Sequence, residues 1–262
     1  MSYINENKKA WEKAFDHRSG HYSEDLIEKL KEHKQPFFHQ DFFDIISSHN
    51  LKEKTIGQFC TNNGRELLQL STMGVDKAIG FDLAQNMVDY ANDIASTLNL
   101  PAKFIQTNIL EIDRMYNSYF DYGLITVGAM CWFKDLNTFF KKVTDTLKPS
   151  ATLFIHESHP FELMLATPYE DDYIESYPKA LVYDYFSKKV WEEHGMGYMS
   201  EEKLENTFTS FSHSLSDVFT ALINNGFEII LFKEFDYCIG NILNHLDHQG
   251  IPLSMAIVAT KK

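Results

Sequence analysis

Residues 55–68 read Thr-Ile-Gly-Gln-Phe-Cys-Thr-Asn-Asn-Gly-Arg-Glu-Leu-Leu, and residues 78–82 read Ala-Ile-Gly-Phe-Asp. The first stretch opens as a β-like run, Thr55–Cys60, breaks at a polar turn, and re-enters a helical period with Leu67, Leu68 and Leu70. The second is another short run that closes on Asp82. Strand, tight turn, helix and strand within about 30 residues form the βαβ unit of a parallel sheet.

The alternation continues downstream. Met87, Ala91, Ile94 and Leu98 fall at i, i+4, i+7 and i+11, which predicts a helix with one apolar face. Ala102–Thr107 and Tyr122–Val127 are further runs. A helix capped by Asp135, with Leu136, Phe140, Val143 and Leu147 on one face, is expected to stop at Pro149. Thr152–His156 is the fifth run. Five strand–helix alternations predict a parallel α/β sheet covered on both faces.

Residues 161–212 break the pattern with Pro168, Pro178, the acidic stretch Glu170–Asp172 and the aromatic runs Leu181–Phe186 and Thr207–Phe211. They read as an insertion holding one antiparallel strand pair. Ser214 and Asp217 form a capping box that opens a helix with Val218, Leu222 and Ile223 inward, closed at Asn224-Asn225-Gly226. Two strands follow, Glu228–Phe235 and Met255–Thr260. Upstream, residues 1–48 read as helical. Trp11, Phe15 and Tyr22 sit among charges there, and Phe37, Phe38, Phe42, Phe43, Ile45 and Ile46 form a second apolar group. The expected organisation is a helical cap over 1–50, a Rossmann-like domain over 51–160 and 213–262, and a covering insertion over 161–212.

Composition bounds the partners. The 262 residues are 44% hydrophobic and 23% charged, a globular balance. The formal charge of −13 would be repelled by phosphate backbones, so nucleic acid is excluded as the expected substrate. Cys60, Cys131 and Cys238 are scattered, with neither a CxxC nor a Cys/His zinc pattern, so no metal is expected and a reducing compartment is. The N-terminus lacks an apolar signal core, and the apolar run Gly123–Phe133 is too short to span a bilayer. A cytoplasmic protein without membrane attachment, monomeric or homodimeric, is expected.

In an open parallel sheet, ligands bind beyond the carboxyl ends of the strands. Those ends are Phe59–Gly64, Asp82–Leu83, Asn108–Ile109, Val127–Met130 and His156–His159. A crossover helix begins on the same edge, which adds His213. Gly64 supplies positive φ in the first loop, and Asn62 or Asn63 tolerates it; the G-x-G-x-x-G fingerprint is absent. Asp82 reads either as a helix N-cap or as an acceptor for two ribose hydroxyls, and the neighbouring loop favours the ribose.

The run Asn62-Asn63-Gly64-Arg65-Glu66-Leu67-Leu68, the Ile-Gly-Phe-Asp ending at Asp82, Phe120-Asp121, Leu147-Lys148-Pro149, Glu157-Ser158-His159-Pro160 and His213-Ser-Leu-Ser-Asp217 resemble, in order and spacing, a class I S-adenosylmethionine-dependent methyltransferase of a bacterial small-molecule branch. The resemblance implies a seven-stranded sheet with its last strand antiparallel. It implies cofactor contacts from the first loop (Gln58, Phe59, Cys60, Asn62, Gly64), ribose binding at Asp82 beside Leu83 and Met87, adenine contacts at Asn108 and Ile109, and methionine contacts at Val127 and Gly128. Four family features differ: Gln58 replaces an acid, Cys60 and Asn62 stand where the first motif has its first two glycines, Asn108 replaces an acid, and Leu-Lys-Pro-Gly-Gly has become Leu-Lys-Pro-Ser-Ala.

Methyl transfer needs a base only when the acceptor must lose a proton. Candidates on the ligand edge are His156, Glu157, His159 and His213, with His213, His159 and Glu157 the expected catalytic set. Tyr183, Tyr185, Phe186 and Tyr198 are expected to roof a small-molecule acceptor or merely to pack the insertion. Two rival readings stand beside this one. Tyr185 and Lys189 fit the Y-x-x-x-K pattern of a nicotinamide oxidoreductase, and the altered first loop fits a fold that binds cofactor or metabolite without turnover.

Overall fold

The computed structural model describes residues 3–18, 24–32, 37–195, 199 and 207–262. Tyr22 and Tyr198 lie outside the described residues. Three N-terminal helices, α1 (Tyr3–Asp16), α2 (Leu26–Glu32) and α3 (Gln40–Ser47), precede β1 (Thr55–Phe59). The alternation then runs α4 (Arg65–Ser71), β2 (Lys77–Asp82), α5 (Gln85–Thr97), β3 (Ala102–Gln106), β4 (Phe120–Ile125), α6 (Leu136–Thr146) and β5 (Leu147–Ser158). The insertion carries β6 (Val190–Glu193) and β7 (Phe208–Phe211), and the chain closes with α7 (Leu215–Asn224), β8 (Phe227–Phe235) and β9 (Ser254–Lys261).

Seven strands form one sheet in the order β3-β2-β1-β4-β5-β9-β8. β1 to β5 pair in parallel, while β9 runs antiparallel to both β5 and β8. This is a Rossmann-like doubly wound sheet whose last strand is reversed, as expected. Strand order turns back on either side of β1, and Phe59 lies opposite Phe81 on β2 and Ile125 on β4. That register brings the carboxyl ends of three strands together at the switch point, where a crevice must open.

Both faces are covered. Phe59, Phe81, Phe120, Phe139, Phe140 and Leu153 fill one layer. Phe42, Ile46, Leu67, Phe104, Phe154 and Val258 fill the other, which explains the Phe-rich stretch before β1: Phe42 and Ile46 on α3 are fully buried. The antiparallel pair of the insertion forms between β6 and β7, apart from the main sheet.

Pro149 does not stop α6. The helix ends at Thr146, whose hydroxyl donates back to the Val143 carbonyl, and Leu147 already pairs with Phe120 as strand. Pro149 lies inside β5, followed by Ser150 with φ of +62° at the place where the family pattern has glycine.

Candidate functional site

The first loop is set by backbone geometry. After β1 the chain enters the left-handed region at Cys60 (φ +61°), Asn62 (+52°) and Gly64 (+78°). Asp82, at the end of β2, ties this loop down. Its Oδ2 accepts from the Asn62 amide at 2.7 Å and its Oδ1 from the Ala84 amide at 3.0 Å. The N-cap position of α5 is Ala84, so Asp82 is not the helix cap. Burial pushes the Asp82 carboxyl up to about 6, against the pull of the Ala84, Asn62 and Leu83 amides. Two carboxylate oxygens carry about four acceptor sites, so capacity beyond these amides remains.

A cavity of about 950 Å³ opens over this edge, within the range of small-molecule sites. Cys60, Asn62, Asp82, Leu83 and Met87 line one end, joined by Asn108 and Ile109. Asn108 uses its Oδ1 to accept the Leu110 amide at 3.1 Å. Val127, Gly128, Glu157 and His213 line the middle. Gly128 has φ of +79°, and a Cβ placed there would meet nothing within 4 Å, so the backbone itself faces open space.

Several expected site residues do not line the cavity. Gln58 and Phe59 are fully buried in β1, which is covered on both faces. The Gln58 amide donates to Thr126 Oγ1 at 3.0 Å, and Phe59 stacks on Phe81. Gly64 is needed for packing rather than for ligand approach: a Cβ would come within 2.6 Å of Phe104 and 2.8 Å of Ala91. His159 turns away from the cavity, its Nδ1 accepting the Phe161 amide at 3.0 Å and its Nε2 lying 3.1 Å from Glu234. His156 faces the opposite side of β5 from Glu157. It stacks on Phe42 at 4.4 Å, where burial lowers it to about 3.

Glu157 reaches the cavity but is already occupied. Its Oε1 accepts from the Gly128 and Ser158 amides, and its Oε2 from Ala129 (3.0 Å) and Met130 (3.1 Å). Burial pushes it up to about 7 even against these four donors. With its oxygens turned to the backbone, it shapes the loop after β4 rather than offering a base. His213 also lines the cavity and keeps one ring nitrogen uncommitted. Its Nε2 donates to the Phe133 carbonyl at 2.8 Å, which assigns the acceptor lone pair to Nδ1. Burial lowers its proton affinity, so the ring is neutral near pH 7. The capping box beneath it is complete, with both Ser214 and Asp217 legs present.

Other lining residues came from segments whose packing the sequence leaves open. Tyr3, Asn7 and Trp11 of α1 reach the cavity, and Asn7 clamps β7 by a two-way amide pair with Thr209 at 2.7 and 2.9 Å. Trp132 lies edge-on to Trp11. Glu162, four residues after β5, is 5% exposed and lines the cavity. Of the expected roof, Tyr183 lines the cavity, while Phe186 is 73% exposed and the Tyr185 hydroxyl accepts the Leu215 amide. Lys189 lies on the Trp191 ring, so the Y-x-x-x-K pair is split between two jobs.

Residues 56–150, spanning β1 to the start of β5, match a family described as a methyltransferase domain. No curated protein matches the chain by sequence. Among solved structures, a candidate S-adenosylmethionine dependent methyltransferase from Listeria monocytogenes is 18% identical, covers 84% of this chain and 96% of its own, and superposes with a TM-score of 0.67. An S-adenosylmethionine dependent methyltransferase from Mesorhizobium loti is 13% identical, with 88% and 100% covered and a TM-score of 0.59. The 4+2 cyclase SpnF is 11% identical, with 84% and 80% covered and a TM-score of 0.56. At these identities the likeness is one of fold, and function rests on the site. Among the described residues, no helix is long and apolar enough to cross a membrane.

Proposed function

We propose that the chain is an S-adenosylmethionine-dependent methyltransferase acting on a small-molecule acceptor. The observation that carries this reading is Asp82. It is a carboxylate at the end of β2, tied to a left-handed first loop and facing a cavity that continues past the bare backbone of Gly128. The residues present fit the cofactor. Asp82 would take the ribose hydroxyls, Asn108, Ile109, Leu83 and Met87 would bracket the base, and Cys60, Asn62 and Gly128 would pass the methionine end. Gln58 lacks the family's negative charge, but it lies beneath the loop and Glu157 brings a carboxyl to the cavity instead.

When bound, the cofactor supplies an electrophilic methyl group on a sulfonium. The protein's part is to orient the acceptor, exclude water and, where the acceptor carries a proton, remove it. His213 Nδ1 is the base in this reading, with Phe133 fixing the tautomer. Glu157 is a positioning residue that holds residues 128–130. A fold of this kind also carries a cyclase, SpnF, so the decisive test is binding of the cofactor itself. A crystal structure with S-adenosylhomocysteine should show both ribose hydroxyls on Asp82 and the sulfur over Gly128. Ligand density elsewhere, or none, would remove the reading.

A further inference from the structure

The part of the cavity beyond β5 differs in character from the part over β1 to β4. The strand order β2-β1-β4-β5 places Asp82 three strand spacings, about 14 Å, from the end of β5. On the proposed reading the cofactor covers the β2-to-β4 side, which leaves the β5 side to the acceptor. The segments that wall this side follow β5 in the chain: Glu162 in the first turn, Glu170 and Asp172 in the acidic stretch, and Tyr183, Lys189 and Trp191 before and within β6.

Three observations point to the ligand. Glu162 is 5% exposed and lines the cavity; its Oε1 accepts from Ser158 Oγ at 3.2 Å, and its Oε2 is buried with no hydrogen-bond partner. An acceptor oxygen left without a donor inside a protein costs free energy unless a ligand satisfies it. Second, the amides of Val182 and Tyr183 donate to the Met164 carbonyl at 2.9 and 3.2 Å, which sets Tyr183 beside the Glu162 turn. The Tyr183 hydroxyl donates to Glu170 at 3.0 Å and approaches Asp172 at 3.3 Å, so this ring carries two carboxylates at its edge. Third, Tyr183 and Trp191 meet edge-to-face at 4.9 Å and 81°, and an ammonium already occupies the angle between them. Lys189 Nζ lies 3.8 Å from the Trp191 ring centre and 5.3 Å from that of Tyr183. Two rings at right angles with a cation over both are the geometry of ammonium recognition.

The balance of charge agrees. Among the described residues, the cavity lining carries eight Asp and Glu side chains against two permanent cations, Arg65 and Lys189. Arg65 Nε is engaged with Glu66 at 2.9 Å, and Lys189 rests on Trp191. An anionic acceptor would meet repulsion here, whereas an ammonium would both give the unpartnered Glu162 oxygen a donor and draw that carboxyl, which burial otherwise keeps protonated, into its ionised form.

Resting on the methyltransferase reading, we infer that the acceptor is a small molecule carrying a cationic amino group, which Glu162 receives and the Tyr183–Trp191 pair flanks. Lys189 then acts as a tethered placeholder that the incoming ammonium displaces.

The test is a calorimetric titration into protein saturated with S-adenosylhomocysteine, which carries no sulfonium and so adds no fixed positive charge at sulfur. The probes are phenethylamine, its neutral counterpart 2-phenylethanol, and 3-phenylpropionate. The amine should bind at least tenfold tighter than the alcohol, and the carboxylate should give no heat at millimolar concentration. Glu162→Gln should bring amine and alcohol within twofold of each other while S-adenosylhomocysteine affinity stays within twofold of the parent. Lys189→Ala should tighten the amine severalfold by vacating the box. Amine binding no better than the alcohol, absent altogether, or unchanged in Glu162→Gln and unimproved in Lys189→Ala would overturn the inference. If S-adenosylhomocysteine itself fails to bind, the methyltransferase reading fails first, and the two failures are told apart in one instrument.

Discussion

Asp82 holds the first loop with both carboxyl oxygens and also lines the cavity, and on the proposed reading the same carboxyl receives the ribose. Each lost hydrogen bond to a charged acceptor is worth roughly 1.5–3 kcal/mol. Asp82→Ala should therefore weaken S-adenosylhomocysteine at least tenfold in calorimetry, and should also lower the melting temperature, since the Asn62 and Ala84 amides lose their acceptor. Parent-like affinity would reduce Asp82 to a loop clamp. His213 makes an independent case. Its bond to the Phe133 carbonyl and its burial call for a neutral ring protonated at Nε2. Nitrogen NMR across a pH series should show that tautomer and a midpoint below the ordinary histidine value of about 6.5. A proton on Nδ1, or a raised midpoint, would take away its role as base. The sequence brought His156, His159 and His213 to one sheet edge, but side-chain direction separates them. The alternation along β5 turns His156 to the far layer, and the turn after Ser158 rotates His159 toward β8.

The elements of the main sheet were legible because each carries its own period. β1 and β2 are apolar runs closed by turn residues, α5 and α6 show one apolar face, and α7 announces itself with a capping box. The helical cap and the insertion's strand pair were expected, but which residues of α1, β6 and β7 would meet was not legible, because their contacts join residues about 200 positions apart, as Asn7 and Thr209 do. Nothing local in Lys-Lys-Ala-Trp states what α1 packs on. That clamp predicts a measurable coupling. Asn7→Ala removes two hydrogen bonds, each worth about 1 kcal/mol, so amide exchange should speed up together in α1 and β7 while β1 to β5 keep their protection. Exchange that changes in α1 alone would show that Asn7 does not join the two. In the parent, S-adenosylhomocysteine should slow exchange in both elements, since closing the site over a ligand excludes water.

At the scale of the whole molecule, the acidity that the composition announces as a net charge of −13 is concentrated partly inside, where it acts on stability. Burial pushes Glu162 up to about 8; Ser158 Oγ donates to it, and Glu157 and the Cys238 thiol face it. Its unfolded value is about 4.3. Between those values the folded state binds more protons than the unfolded state, so this group makes stability fall as pH rises from about 4 to about 8. Glu162→Gln removes that titration. The variant should gain in melting temperature over the parent as pH is raised from 5 to 9, in the absence of ligand, while a difference that stays flat across the series would place Glu162 in contact with a compensating charge. The sequence showed the acids but not which of them would be buried, because Glu162 follows β5 by four residues and reads as an ordinary surface turn.

The central claim is that the cavity over β1, β2 and β4 takes S-adenosylmethionine. Calorimetric titration of the parent protein with S-adenosylhomocysteine tests it most directly, because the outcome needs no knowledge of the acceptor. One equivalent should bind with a dissociation constant of micromolar order. No heat at millimolar ligand, or saturable binding of NAD or NADP in its place, would contradict the account.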